Sequence, residues 1–177
     1  MNAPYNGNFY ETQLYTHGIH DGLDLVGITH KEIHCVYSGV VVYAGWENEN
    51  DHSLGFGQYV AIRQDNSNRV WYYGHMSEIK CKIGEHINIC DVIGVEGSTG
   101  YSTGSHLHIC VRENGVKGCD LNVAQILGIP NILNNINNPY HPRDRFVIGQ
   151  KIRAVVRQTE PHRIHLTHRE LLGTWEE

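Results

Sequence analysis

Three stretches carry side chains that could do chemistry together: His20 with Asp24, His75, and the pair His106 and His108. The last pair closes the run Gly97-Ser98-Thr99-Gly100-Tyr101-Ser102-Thr103-Gly104-Ser105-His106-Leu107-His108-Ile109-Cys110-Val111. Its first half, rich in Gly, Ser and Thr, is turn-forming. Its second half alternates, and strand side chains switch faces at every step, so both imidazoles point one way. His20 and Asp24, four apart in His20-Asp21-Gly22-Leu23-Asp24, likewise share a face of an extended segment. A helix would also align them, but Gly18, Gly22 and Gly27 disfavour one. Imidazole nitrogens with one carboxylate oxygen suit zinc. Taken singly, each pair fits a solvated strand face or a surface His–Asp hydrogen bond better than a metal site.

Other segments must position these groups. Ile33–Val36, Gly39–Trp46, Gly57–Gln64 and Val70–His75 are rich in Val, Ile and Tyr and read as strands. Shorter strands are expected at His86–Ile89, Val92–Val95 and His106–Arg112, with a turn at Asp65–Asn68 and a hairpin signal at Asn114-Gly115. Only Asn122–Leu127 reads as helix in the body. The fold expected is mainly antiparallel β, one folded sheet or two packed ones, with few short helices. Residues 1–16 are polar and aromatic and are expected to form an irregular lead-in.

The 177 residues suit one ordinary domain with a short appendage. A net charge of −5 argues against general nucleic-acid binding. Residues 1–142 hold seven Lys/Arg against fourteen Asp/Glu, whereas 143–177 hold seven against five, so the tail differs from the body. The five cysteines include no C-x-x-C pair and suit a reducing compartment. No run approaches membrane-spanning length. The opening residues lack an apolar export leader, which leads to the expectation of synthesis in the cytoplasm.

His20-x-Gly22-x-Asp24, Tyr73-Gly74-His75-Met76 and the 97–108 run resemble the LytM/lysostaphin-type zinc metallopeptidases, family M23. The resemblance spans about residues 17–130, and three motifs in order are far more specific than one. It implies a groove on the sheet with one Zn²⁺ held by His20, Asp24 and His108, and with His75 and His106 as the catalytic pair. Which of the two is the base stays open. It further implies hydrolysis of a peptide bond in bacterial peptidoglycan, stem or cross-bridge, beside small residues such as glycine or D-alanine. The chain would then act at the cell wall as a monomer, released from the cytoplasm like a phage lysin. A catalytically inactive wall-binding scaffold that activates another hydrolase is the alternative, though all five positions are filled. The expected rims of the groove are Val26–Glu32 and Glu47–Leu54. His17, His30, His34, His52 and His86 match no ligand position, with His17 and His52 the ones to check for substrate contact.

Asn131–Pro142 has an Asn- and Pro-rich linker composition. Beyond it, Phe146–Arg157 reads as a strand and Thr167–Trp175 as a short helix. This basic segment, 143–177, resembles part of an S1-type RNA-binding repeat but is too short for a complete five-stranded barrel. His162, His165 and His168 fit an exposed basic segment better than a metal site.

Overall fold

The structure, a computed structural model, describes residues 2–133, 135–136, 155–160 and 163–167. The chain divides into two compact units, Met1–His141 and Pro142–Glu177. In the second unit, the described strands Val155–Glu160 and Arg163–Thr167 pair antiparallel. The strand expected from Phe146 overlaps this hairpin at 155–157, and its earlier residues lie outside the described ones. Thr167 ends the second strand, and the helix expected beyond it also lies outside the described residues.

The first unit is built on an eight-stranded antiparallel sheet, which is the mainly β fold the sequence predicts. In chain order its strands are β1 (Phe9–Gln13), β2 (Gly22–Gly27), β4 (Gly39–Trp46), β5 (Gln58–Gln64), β6 (Arg69–Gly74), β8 (His86–Ile87), β10 (Leu107–Glu113) and β11 (Asn135–Ile136). Across the sheet they run β11-β1-β2-β10-β6-β5-β4-β8. A second sheet joins β3 (Glu32–His34), β9 (Val92–Val95) and β7 (Glu78–Ile79).

Alternation decides what each strand buries. Leu107, Ile109 and Val111 of β10 enter the core beside Leu23 and Leu25 of β2, Trp71 and Tyr73 of β6, and Val60 and Ile62 of β5. Burying one such aliphatic side chain contributes about 1.5–3 kcal/mol, which pins β10 in register. The residues between them therefore face the other side, and there His108, Asp24 and Arg112 sit. Helix α1 (Val123–Leu127) adds Val123, Ala124 and Leu127 to the core. The Asn122 side chain accepts from the Gln125 N–H, and Gly128 ends the helix at φ +69°.

Two expectations change. Residues 1–16 are not irregular throughout: Phe9–Gln13 pairs with β2 and with β11, and β11 itself falls inside the stretch read as linker. Phe9 and Tyr5 are buried core residues, so apolar anchoring outweighs the polar composition around them. The segment Val26–Glu32 is less of a loop than expected, because Val26 and Gly27 belong to β2 and Glu32 opens β3.

Candidate metal and catalytic site

Sheet register gathers the site. On β10, His108 lies opposite Asp24 of β2 on one side and Gly74 of β6 on the other. His75, the residue after Gly74, thus emerges beside the same pocket. Residues 88 positions apart in sequence become neighbours: His20 Nε2 is 3.2 Å from His108 Nδ1. His108 Nδ1 is 2.8 Å from Asp24 Oδ1, and His20 Nε2 is 3.3 Å from that same oxygen. Donors bound to one tetrahedral zinc at about 2.0–2.1 Å stand roughly 3.3 Å apart, so this set fits the ion.

The imidazoles of His20, His75 and His106 are each held by the nitrogen that faces away from the site. His20 Nδ1 donates to the Leu14 carbonyl at 2.9 Å, which turns Nε2 toward Asp24. His75 Nδ1 donates to the Thr99 carbonyl at 2.7 Å, and His106 Nδ1 to the Gly104 carbonyl at 2.8 Å. These bonds leave Nε2 of both rings to face the pocket. The two rings lie 4.5 Å apart, and His106 Nε2 is 3.7 Å from Asp24 Oδ2. The Gly/Ser/Thr run thus supplies carbonyls that aim both histidines as well as the turn before β10.

His75 has φ +63°, a left-handed conformation that a non-glycine residue holds at a cost of about 1–3 kcal/mol. Its N–H donates to the Phe56 carbonyl at 2.8 Å, and burial lowers its pKa from 6.5 to about 4. The ring is therefore neutral near pH 7. For His108, burial disfavours charge, but the flanking carboxylates of Asp21 and Asp24 outweigh it and raise the pKa well above the ordinary histidine value. Asp24 is also buried, yet His108 and His20 hold its carboxyl well below the usual range.

These groups open onto a groove of about 490 Å³. His20, Asp24, His75, His106 and His108 all line it, and so do Asp21, Phe56 and Arg112, which sequence reasoning did not single out. Arg112 was legible as a face-mate of His108 four positions along β10. Asp21 precedes β2, where strand alternation does not yet apply, and Phe56 lies in a turn with no periodic signal. The expected rim at 47–54 contributes Glu47, whose carboxylate accepts the Phe56 N–H, and Tyr101 to Thr103 form another part of the lining. The other expected rim, 26–32, does not line the groove, because β2 and β3 absorb its ends.

Among the described residues of the first unit, His17, His30, His34, His52 and His86 do not line the groove. His52 stacks on Trp46 at 3.6 Å, His86 pairs with Asp65 at 2.8 Å, and His34 Nδ1 meets the Cys90 carbonyl at 2.8 Å. His17 and His30 are exposed. Cys35, Cys81 and Cys110 are buried free thiols, whereas Cys119 is exposed. Among the described residues no helix is long and apolar enough to cross a membrane.

Residues 18–119 match peptidase family M23, and the chain belongs to that family. Among curated relatives, it is 34% identical over 91 residues to the glycyl-glycine endopeptidase ALE-1 of Staphylococcus capitis, covering 51% of this chain and 24% of that protein. It is 30% identical over 113 residues to the peptidoglycan DD-endopeptidase ShyA of Vibrio cholerae, covering 63% of this chain and 25% of that protein. The chain thus spans about a quarter of each relative. The fold is similar to the catalytic domain of lysostaphin from Staphylococcus simulans, with a TM-score of 0.57 and 27% identity, covering 70% of this chain and 92% of that domain.

Proposed function

We propose that the chain is a zinc endopeptidase that hydrolyses peptide bonds in the stem or cross-bridge of bacterial peptidoglycan. The observation that carries this reading is the convergence of His20, Asp24 and His108 on one point, with His75 and His106 beside it in the same groove. His20 Nε2, an Asp24 oxygen and His108 Nδ1 would hold the ion, which when bound supplies Lewis-acid activation of water and of the scissile carbonyl. His75 and His106 perform the proton transfer and oxyanion support. A neutral His75 accepts a proton through Nε2, since its Nδ1–H is committed to Thr99. A substrate peptide with small side chains beside the scissile bond is in keeping with relatives named for glycyl-glycine and DD bonds. On this reading the enzyme acts at the bacterial cell wall, as a monomer.

The scaffold reading is not favoured, because it calls for the loss of a ligand or catalytic histidine and none is lost. The test is digestion of purified peptidoglycan with and without chelator, with new amino termini read by mass spectrometry. Termini that vanish with chelator and return with zinc are expected. Walls of several cross-link types left uncut by the zinc-loaded protein would refute the proposal.

A further inference from the structure

One charged chain in the groove is not used by the reaction described above. It starts at His108, whose Nδ1 faces Asp24 and His20 while Nε2 points the opposite way. That Nε2 is buried and has no well-aligned hydrogen bond among the described residues, yet it lies 3.3 Å from Asp21 Oδ1. The other Asp21 oxygen accepts from an Arg112 terminal nitrogen at 2.7 Å. Arg112 Nε donates to Asp120 at 2.8 Å. Arg112 is 8% exposed, and its guanidinium rests over the rings of Tyr72 at 4.7 Å and Phe56 at 5.5 Å. Two carboxylates and two aromatic faces thus fix Arg112, and Arg112 fixes Asp21.

We infer that Asp21, braced by Arg112 and Asp120, is a positioning residue that orients His108 for the metal. With zinc bound, Nδ1 would give up its proton, and a carboxylate at Nε2 would keep the remaining imidazole proton there and leave the Nδ1 lone pair for the ion. Removing such a partner from a metal-ligating histidine typically costs about 10–100-fold in metal affinity. Asp21 also adjoins His20 in sequence, so the same turn sets one ligand and steers another. Asp21, His108 and Cys110 could themselves be read as a cation site, since their donor atoms also cluster. The Arg112 guanidinium already neutralises Asp21 there, which makes the cluster a charge pair in place of a second metal centre.

This inference rests on the metal site proposed above, and the experiment separates the two. Zinc affinity is measured by competition with a chromophoric chelator for the parent chain, Asp21→Ala and Asp21→Asn, with melting of each apo form followed alongside. The Ala variant is expected to lose about 10–100-fold in affinity, and the Asn variant, whose amide oxygen still accepts from Nε2–H, a smaller loss of at least about threefold. A purely structural Asp21 would lower apo melting and leave zinc affinity of the folded protein unchanged. Affinity within about twofold of the parent in the folded variants overturns the inference. If Asp21→Ala fails to fold, Asp21→Asn decides by the same threshold. Cobalt titration should saturate at one equivalent; a second equivalent with a thiolate charge-transfer band would make Asp21–His108–Cys110 a metal site and also overturn it. A parent chain that binds no zinc overturns the underlying site as well.

Discussion

Replacing Gly22 with alanine tests the packing that holds the proposed ligands together. Gly22 opens β2 opposite Cys110 of β10. A Cβ built there would meet His108 Cε1 at 2.6 Å, the Ile109 carbonyl oxygen at 2.6 Å and His108 Nε2 at 2.7 Å. These contacts fall short of the 3.4 Å of ordinary van der Waals contact by 0.7–0.8 Å. The Ile109 carbonyl belongs to a buried strand and cannot yield, so the His108 ring must move by most of that overlap. Overpacking of this kind destabilises by about 1–3 kcal/mol. A shift approaching 1 Å at a reacting group can cost about 10²-fold in rate. Gly22→Ala should therefore lower zinc affinity, and should lower kcat/KM on a peptidoglycan-derived peptide by about 10²-fold, while the protein stays folded. Zinc affinity and turnover within about threefold of the parent would refute the claim that this glycine exists to let His108 approach.

The acid limb of kcat tests whether His75 is the proposed base. His75 has its pKa lowered to about 4, so it gains a proton only below that pH and becomes competent as pH rises through it. If His75 is the base, kcat stays flat down to about pH 5 and then falls; a limb near the ordinary histidine value of about 6.5 assigns the base elsewhere. Glu11 is buried on β1, with no salt-bridge partner among the described residues, and burial raises its pKa from 4.5 to about 7. The folded state binds this proton more tightly than the unfolded one, so its contribution is full below pH 4.5 and is lost as pH rises through 7. Glu11→Gln should raise Tm at pH 8 by the equivalent of roughly 1–3 kcal/mol and change little at pH 4.5; equal effects at both pH values would exclude this cause. Gly57 has φ +63°, and a Cβ there would lie 2.3 Å from the Gly100 backbone nitrogen, next to the Thr99 carbonyl that aims His75. Gly57→Ala should lower both Tm and kcat, whereas Gly104→Ala, with nothing within 4 Å, should change neither; comparable melting curves for the two would contradict this.

Much of the site could be read from local rules. The parity of His106 and His108, and of His20 and Asp24, already assigned them to shared faces, because side-chain direction in a strand depends only on position along it. The strands at Gly39–Trp46 and Val92–Val95 stand where β-branched composition put them. Polar, aromatic Phe9–Gln13 gave no such signal, and β11 in the Asn-rich stretch still less. Both are strands because they pair with neighbours, and pairing is a long-range fact. Asp21 and Arg112 lie 91 residues apart and meet only because β2 and β10 are adjacent in the sheet. The sequence by itself determined which residues carry donor atoms and which way each strand turns them. Only the tertiary structure decided which strands lie side by side, since buried Leu, Ile and Trp side chains scattered along the chain set that order together.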